Sequence, residues 1–288
     1  MNLLLTFVFT FFVFIIGILP FRVLYIFSDL MYFVLLYVMK YRKSVVRKNL
    51  EGCFPEKNKK EIDKLIRLSY KNLTDVIVEG IKAFTMTDRQ IRERHKVLNP
   101  ELVDQLKNNK AGIIAAPCHY GNWEWGSMSP SLYFNHKIIV FYKPLNNPYI
   151  NRFVNKNRSR TGGILTSIYK TSETFKELTD KKVIYIMAAD QSPSNAKRAI
   201  WVDFMGRETA FLHGLELYGK TYNYPVVFTD IKRVKRGFYE LTLSIISDHS
   251  AETAPGDITR LYAQKLETAI KNKPQDYLWS HKRWKHQK

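Results

Sequence analysis

The residues best suited to chemistry lie in the stretch Ala111–Gly126, AGIIAAPCHYGNWEWG, where His119 stands five positions before Glu124. The apolar run Gly112–Ala116 stops at Pro117, as a buried strand of a parallel sheet does. His119 then falls in the connecting turn and Gly121 relaxes the backbone. Asn122 is placed to cap a helix with Glu124 in its first turn. An imidazole after a strand and a carboxylate on the next helix can meet at the carboxyl end of a sheet, where open α/β folds hold ligands. His119 is a usable proton acceptor near neutrality, and Glu124 is expected to hold one ring nitrogen as donor and to stabilise the imidazolium. Cys118, beside the histidine, has no base of its own and is expected to pack against the strand.

The rest of the chain supplies elements that can position this pair. Apolar residues at helical spacing predict an amphipathic helix over Lys60–Phe84, with Glu79 near the site but in no motif. Ile91–Leu106 reads as a short strand and then a helix. Further strands are predicted at Lys137–Tyr142, Lys182–Ala188, Pro225–Phe228 and Phe238–Ile246, and a helix at Ile258–Lys271. The expected fold is α/β: a mixed, mainly parallel sheet flanked by helices, with the site near Pro117 and Ala189. Lys143–Gly163 reads as a basic loop after a strand, suited to a phosphate or carboxylate. Its candidates are Lys143, Arg158 and Arg160, each equally compatible with a solvated helix face.

The chain has 288 residues, with 45 Lys and Arg against 26 Asp and Glu, a formal net charge of +19. So basic a balance implies an acidic partner: nucleic acid, an anionic membrane surface, a phosphorylated lipid or an acidic carrier protein. The sequence carries no helix-turn-helix, zinc or RNA-binding signature, so nucleic acid is not expected. It has neither a G-x-S-x-G elbow nor a phosphate-binding glycine loop, which argues against a serine hydrolase or a nucleotide hydrolase. The two cysteines, Cys53 and Cys118, are too few for a disulfide framework and lack metal-ligand spacing.

Leu3–Leu19 is uncharged and is the most apolar run in the chain; Phe21–Met39 is nearly as apolar but contains Arg22 and Asp29. No Lys or Arg precedes the first run and no small-residue cleavage site follows it, which favours a retained anchor over a signal peptide. Residues 1–40 are therefore expected to be a membrane anchor, one span plus a second apolar helix, and 41–288 the catalytic domain. Lys40, Arg42, Lys43, Arg47 and Lys48 follow the apolar segment. Positive charge there marks the cytoplasmic side and attracts anionic headgroups.

HYGNWE resembles the H-x4-D/E motif of glycerolipid-type acyltransferases. Its form H-x-G-N-W-E is similar to the bacterial lipid A late acyltransferases, the lauroyl/myristoyl transferase family. The resemblance runs from Tyr41 to the C-terminus in order: R-x-N-L and C-F-P in Tyr41–Glu56, Asp190-Gln191 after a strand, Phe204-Met205-Gly206, and the tail PQDYLWSHKRW. Gln275-Asp276 departs from the family's Glu-Gln, and AFLHG departs slightly from its usual turn. The resemblance implies transfer of an acyl group from a thioester of acyl carrier protein, with coenzyme A as the other donor. The implied acceptor is a hydroxyl of a phosphorylated glycolipid, a lipid A precursor; a lysophospholipid or aminoacyl lipid is the alternative. It implies His119 and Glu124 as the catalytic pair, and Arg160, then Arg158, as binders of substrate phosphate. Asp190, Gln191, Asn122 and Lys143 are expected to line the substrate site. The donors for the thioester oxygen stay open between backbone amides near Gly121 and a basic side chain. No metal or tightly bound cofactor is expected, and the implied place is the bacterial inner membrane, cytoplasmic face.

Overall fold

A computed structural model describes residues 2–107, 112–178 and 182–286; Ala111, the first residue of the motif stretch, lies outside them. The two apolar runs form α1 (Asn2–Ile18) and α2 (Phe21–Phe33, prolonged by a π-helical turn at Val34–Val38), parted by Pro20. After α3 (Lys43–Cys53) comes the longest helix, α4 (Lys59–Lys82). Asn58 opens α4 through a capping box, its side chain accepting from the Lys60 and Glu61 amides while the Glu61 carboxylate accepts from the Asn58 amide. Ile62, Ile66 and Val76, which the spacing predicted, are buried in the core together with Tyr70.

The chain continues through α5 (Asp88–Arg94), β1 (His95–Val97), α6 (Glu101–Lys107), β2 (Gly112–Ala116), α7 (Trp123–Gly126), α8 (Pro130–Tyr133) and β3 (Lys137–Tyr142). It goes on through α9 (Pro148–Arg158), β4 (Ile164–Ser167), α10 (Thr171–Glu177), β5 (Val183–Ile186), the pair β6 (Ile200–Phe204) and β7 (Arg207–Phe211), and α11 (Gly214–Tyr222). It closes with β8 (Val226–Lys235), β9 (Phe238–Ser247) and α12 (Asp257–Asn272).

Among the described residues the main sheet has seven strands in the order β1-β9-β8-β2-β5-β3-β4. Every neighbouring pair is parallel except β8 and β9, which form an antiparallel hairpin. The fold is thus the expected mixed, mainly parallel sheet flanked by helices. β2 is central and buried throughout: Ile113 and Ala115 enter one apolar cluster, Ile114 and Ala116 the other. That alternation explains its unbroken apolar sequence, since a strand covered on both faces has no polar side to present.

The stretch read as a basic loop is mostly helix. Asn147 caps α9 by accepting from the Tyr149 and Ile150 amides, and Pro148 sits at its first turn. α9 buries no side chain, so apolar periodicity could not reveal it.

Candidate active site

β2 and β5 are hydrogen-bonded neighbours, so the segments leaving their carboxyl ends run side by side. The first brings His119 and the second Asp190. Asp190, 1% exposed, places Oδ1 2.8 Å from His119 Nδ1 and accepts the His119 backbone amide on Oδ2 at 3.0 Å. A carboxylate facing Nδ1 makes that nitrogen the donor and leaves Nε2 as the acceptor. Nε2 lies 3.1 Å from the Gln191 amide nitrogen. Burial works to lower the His119 pKa, but the charge and hydrogen bond of Asp190, with Glu124 adding, hold it above its ordinary value. Burial works to raise Asp190; the His119 charge and hydrogen bonds, with Arg283, hold it below the usual carboxylate range.

The structure departs here from the sequence reading, because Asp190 and not Glu124 holds the imidazole. Asn122 closes the cap of α7 on the Trp125 amide at 2.9 Å, and the Glu124 stem lies over Gly80 of α4. Its carboxylate accepts from Arg158 Nη2 at 2.5 Å. Arg160, the first choice for phosphate, instead caps the end of α4, donating to the Ala83 carbonyl at 3.0 Å and to that of Met86, with Asp88 at 3.6 Å. Arg158, the second choice, is the arginine beside the motif. Asn122 is fully buried and donates to Glu79 Oε2 at 2.7 Å, which makes it part of the scaffold and not of the lining. Lys143 is exposed just past β3.

Gly121 meets a steric demand at this turn. Its φ is +62°, and a Cβ there would fall 2.1 Å from the Ile231 carbonyl oxygen. Its amide donates to the Asp276 carbonyl at 3.0 Å, so that donor is already engaged. Cys118 is buried, and burial drives its thiol well above the ordinary range, which suits packing and not nucleophilic attack.

The sequence reading noted two features without giving them a role. Glu79, wholly buried on α4, accepts from the Tyr25 and Tyr239 hydroxyls and the Asn122 amide, each at 2.7 Å, and its carbonyl accepts from the Trp125 indole at 2.9 Å. Burial pushes its carboxyl up to about 7 against the opposing pull of the two hydroxyls. The second feature is the tail, which forms the back of the motif loop. The Leu278 amide donates to the His119 carbonyl at 3.0 Å, and His281 Nε2 accepts from the Ser192 amide at 3.0 Å. Asn49, from the R-x-N-L segment, donates to the Trp279 and His281 carbonyls at 2.9 Å each.

Trp123 packs 5.5 Å from the His119 ring and also lines a cavity of about 240 Å³. Phe9 and Val13 of α1, Ile81 and Phe84 near the end of α4, and Val154 of α9 give that cavity an apolar wall, with Glu124 and Arg158 on the same lining. The arrangement can take a proton at Nε2, and Trp123 links the ring to an apolar chain-sized space whose lining includes Arg158.

Among known families, residues 2–286 match the bacterial lipid A biosynthesis acyltransferases. The chain belongs to that family. Over 248 residues this acyltransferase is 22% identical to a lipid A biosynthesis palmitoleoyltransferase of Escherichia coli K12, covering 86% of this chain and 80% of that one. It is 24% identical over 251 residues to a lipid A biosynthesis lauroyltransferase of the same strain, with the same coverage. A lipid A biosynthesis acyltransferase of Haemophilus influenzae is 26% identical over 251 residues, 85% of this chain and 78% of that one.

Proposed function

We propose that this acyltransferase moves a fatty acyl group from an acyl carrier protein thioester to the hydroxyl of a 3-hydroxyacyl chain on a phosphorylated lipid A precursor. It does so at the cytoplasmic face of a bacterial inner membrane. The observation that carries this reading is the Asp190–His119 pair, with Nε2 as the acceptor facing the Gln191 amide and Trp123 between the ring and the cavity that Glu124 and Arg158 line.

In this mechanism His119 Nε2 takes the acceptor hydroxyl proton as its oxygen attacks the thioester carbonyl. Asp190 keeps the proton on Nδ1 and stabilises the imidazolium that forms. The negative charge developing on the carbonyl oxygen is met by the Arg158 guanidinium, which Glu124 orients; the Gly121 amide is bound to Asp276 and is not available. The tetrahedral intermediate expels the thiolate, and the imidazolium returns its proton to that sulfur, leaving ester and free thiol. No acyl-enzyme is formed. The +19 charge suits an acidic donor protein as well as anionic lipid.

The test supplies the purified enzyme with the same acyl group on acyl carrier protein or on coenzyme A, and with a lipid A precursor or a lysophospholipid. Mass spectrometry of the lipids should find an ester on the precursor, fastest with the carrier protein. Acylation of the lysophospholipid alone would overturn the assignment of the acceptor, and equal rates with coenzyme A that of the donor.

A further inference from the structure

Composition reads the N-terminus as one span followed by a second apolar helix, and by length and hydropathy Phe21–Val38 is itself able to cross a membrane. Their contacts point to a different placement. We propose that α1 and α2 both lie in the plane of a single lipid leaflet, each with one face in lipid and the other on the catalytic domain, so that neither crosses the bilayer. This rests on the reading that the enzyme works at a membrane surface.

α2 is held on the catalytic domain by polar contacts. Tyr25, Ser28, Asp29 and Tyr32 recur at i, i+3, i+4 and i+7 and form one polar stripe. Tyr25 donates to Glu79 and Ser28 to Asp75 at 2.6 Å, and Asp29 pairs with Arg236 at 2.7 Å. Lys71 stands 5.4 Å over the Tyr32 ring. Behind them Asp75 also binds Arg233 and Arg236. Asp29 is midway along Phe21–Val38, so a spanning α2 would carry this ionic cluster to the bilayer centre, where charges are costly. It would carry the β8–β9 turn too, because Gly237 packs directly on the Tyr25 hydroxyl. A lipid-exposed loop at that depth leaves backbone groups unsatisfied.

α1 is tied down along its length. Asn147 donates to the Thr6 hydroxyl at 3.4 Å, Phe9 packs edge-on against Phe153, and Val13 is buried. The Gly17 carbonyl accepts from Lys82 Nζ at 2.5 Å and from the Thr85 hydroxyl. Were α1 to span, α9, which carries Asn151, Arg152, Asn155 and Lys156, would follow it into hydrocarbon. The opposite face is a stripe of Phe7, Phe11, Phe14 and Ile18, each more than half exposed, continued on α2 by Ile26, Leu30 and Phe33. α1 is apolar on every side, so its placement rests on these contacts; the exposed apolar stripe of the two helices, followed by the exposed cations Lys40 and Arg42, suits a seat about 5–10 Å into the headgroup and acyl boundary. Phe9 and Val13 also line the cavity beside Glu124, so an acyl chain in the same leaflet lies level with that wall.

The test places a nitroxide, one site at a time, at Phe7→Cys, Phe11→Cys, Phe14→Cys, Ile18→Cys, Ile26→Cys, Leu30→Cys and Phe33→Cys of the full-length protein. The protein is held in phosphatidylethanolamine–phosphatidylglycerol vesicles, and depth is read from relaxation by oxygen against a nickel chelate. Cys53 and Cys118 are buried, and the parent protein serves as the labelling blank. The expected result is one shallow depth at all seven sites, equal within a few Å. A progressive change from Phe7 to Ile18 of about 16 Å, the rise of that helical segment, would overturn the proposal. Labels that stay in water would overturn it as well. Acyl transfer measured on the parent protein in the same vesicles reports separately on the catalytic reading.

Discussion

Replacing Asp190 with asparagine separates the two carboxylates more sharply than any other change. Both Asp190 oxygens are acceptors, Oδ1 for the ring Nδ1–H and Oδ2 for the His119 backbone amide. Asparagine offers one acceptor and one NH2, so one of the two contacts must become donor against donor. If the backbone contact survives, the ring turns to the other tautomer, Nε2 carries the proton and the base is lost. If the ring contact survives, a buried amide loses its partner at about 1–3 kcal/mol. A loss of kcat of about 10²–10⁴-fold is expected, equivalent to ~3–5 kcal/mol of barrier. The pH profile carries the sign. The rate rises as His119 loses its proton, and in the native enzyme its pKa lies above the ordinary value of 6.5. Removing the carboxylate charge lowers that pKa, so the rising limb of the residual activity should move to lower pH. Steady-state transfer from a thioester donor across pH reads both quantities. An Asp190→Asn enzyme within about threefold of the parent, with its limb unmoved, would refute the assignment of Asp190 to the imidazole.

Three further outcomes follow from the same contacts. The Glu79 carboxyl is raised to about 7 from 4.5, so between those values the native state holds a proton that the unfolded chain has released. Stability should therefore fall by ~3 kcal/mol as pH rises from 4.5 to 7 and then level off, and Glu79→Gln should flatten that fall in denaturant titrations. Gly121→Ala puts a Cβ against the Ile231 carbonyl at positive φ, and should cost at least the roughly 1–3 kcal/mol of the strained backbone, read as a lowered melting temperature. Arg158→Lys should reduce kcat at unchanged stability because it loses the planar guanidinium that Glu124 holds, whereas Arg160→Lys should lower the melting temperature and largely spare kcat.

Local order was legible in the sequence wherever one physical signal dominated. β2 announced itself as an apolar run ended by Pro117, Asn122 as a cap, and α4 by its periodic stripe. The partner of His119 was not legible, because Asp190 is 71 residues away and reaches the ring only through the pairing of β2 with β5. β3 and β4 intervene in the chain but not between those two strands. Glu124, five residues off, looked closer only along the sequence. The placement of the two arginines was not legible, because α9 ends at Arg158 and the 3₁₀ turn Ser159–Thr161 sends Arg160 toward α4. Glu79 did leave a signal, a carboxylate on the buried face of an amphipathic helix. The polar positions Tyr25, Ser28 and Asp29 likewise marked one side of α2, although hydropathy, averaging over all sides, does not register them.

The central claim is direct transfer with His119 as the base, and the most direct measurement is the transfer rate of purified His119→Ala beside Cys118→Ala, with one thioester donor and one lipid acceptor. His119→Ala should lose at least about 10²–10⁴-fold while keeping the melting temperature of the parent, and Cys118→Ala should retain most of its activity. Full activity in His119→Ala, or a loss confined to Cys118→Ala, would contradict the account.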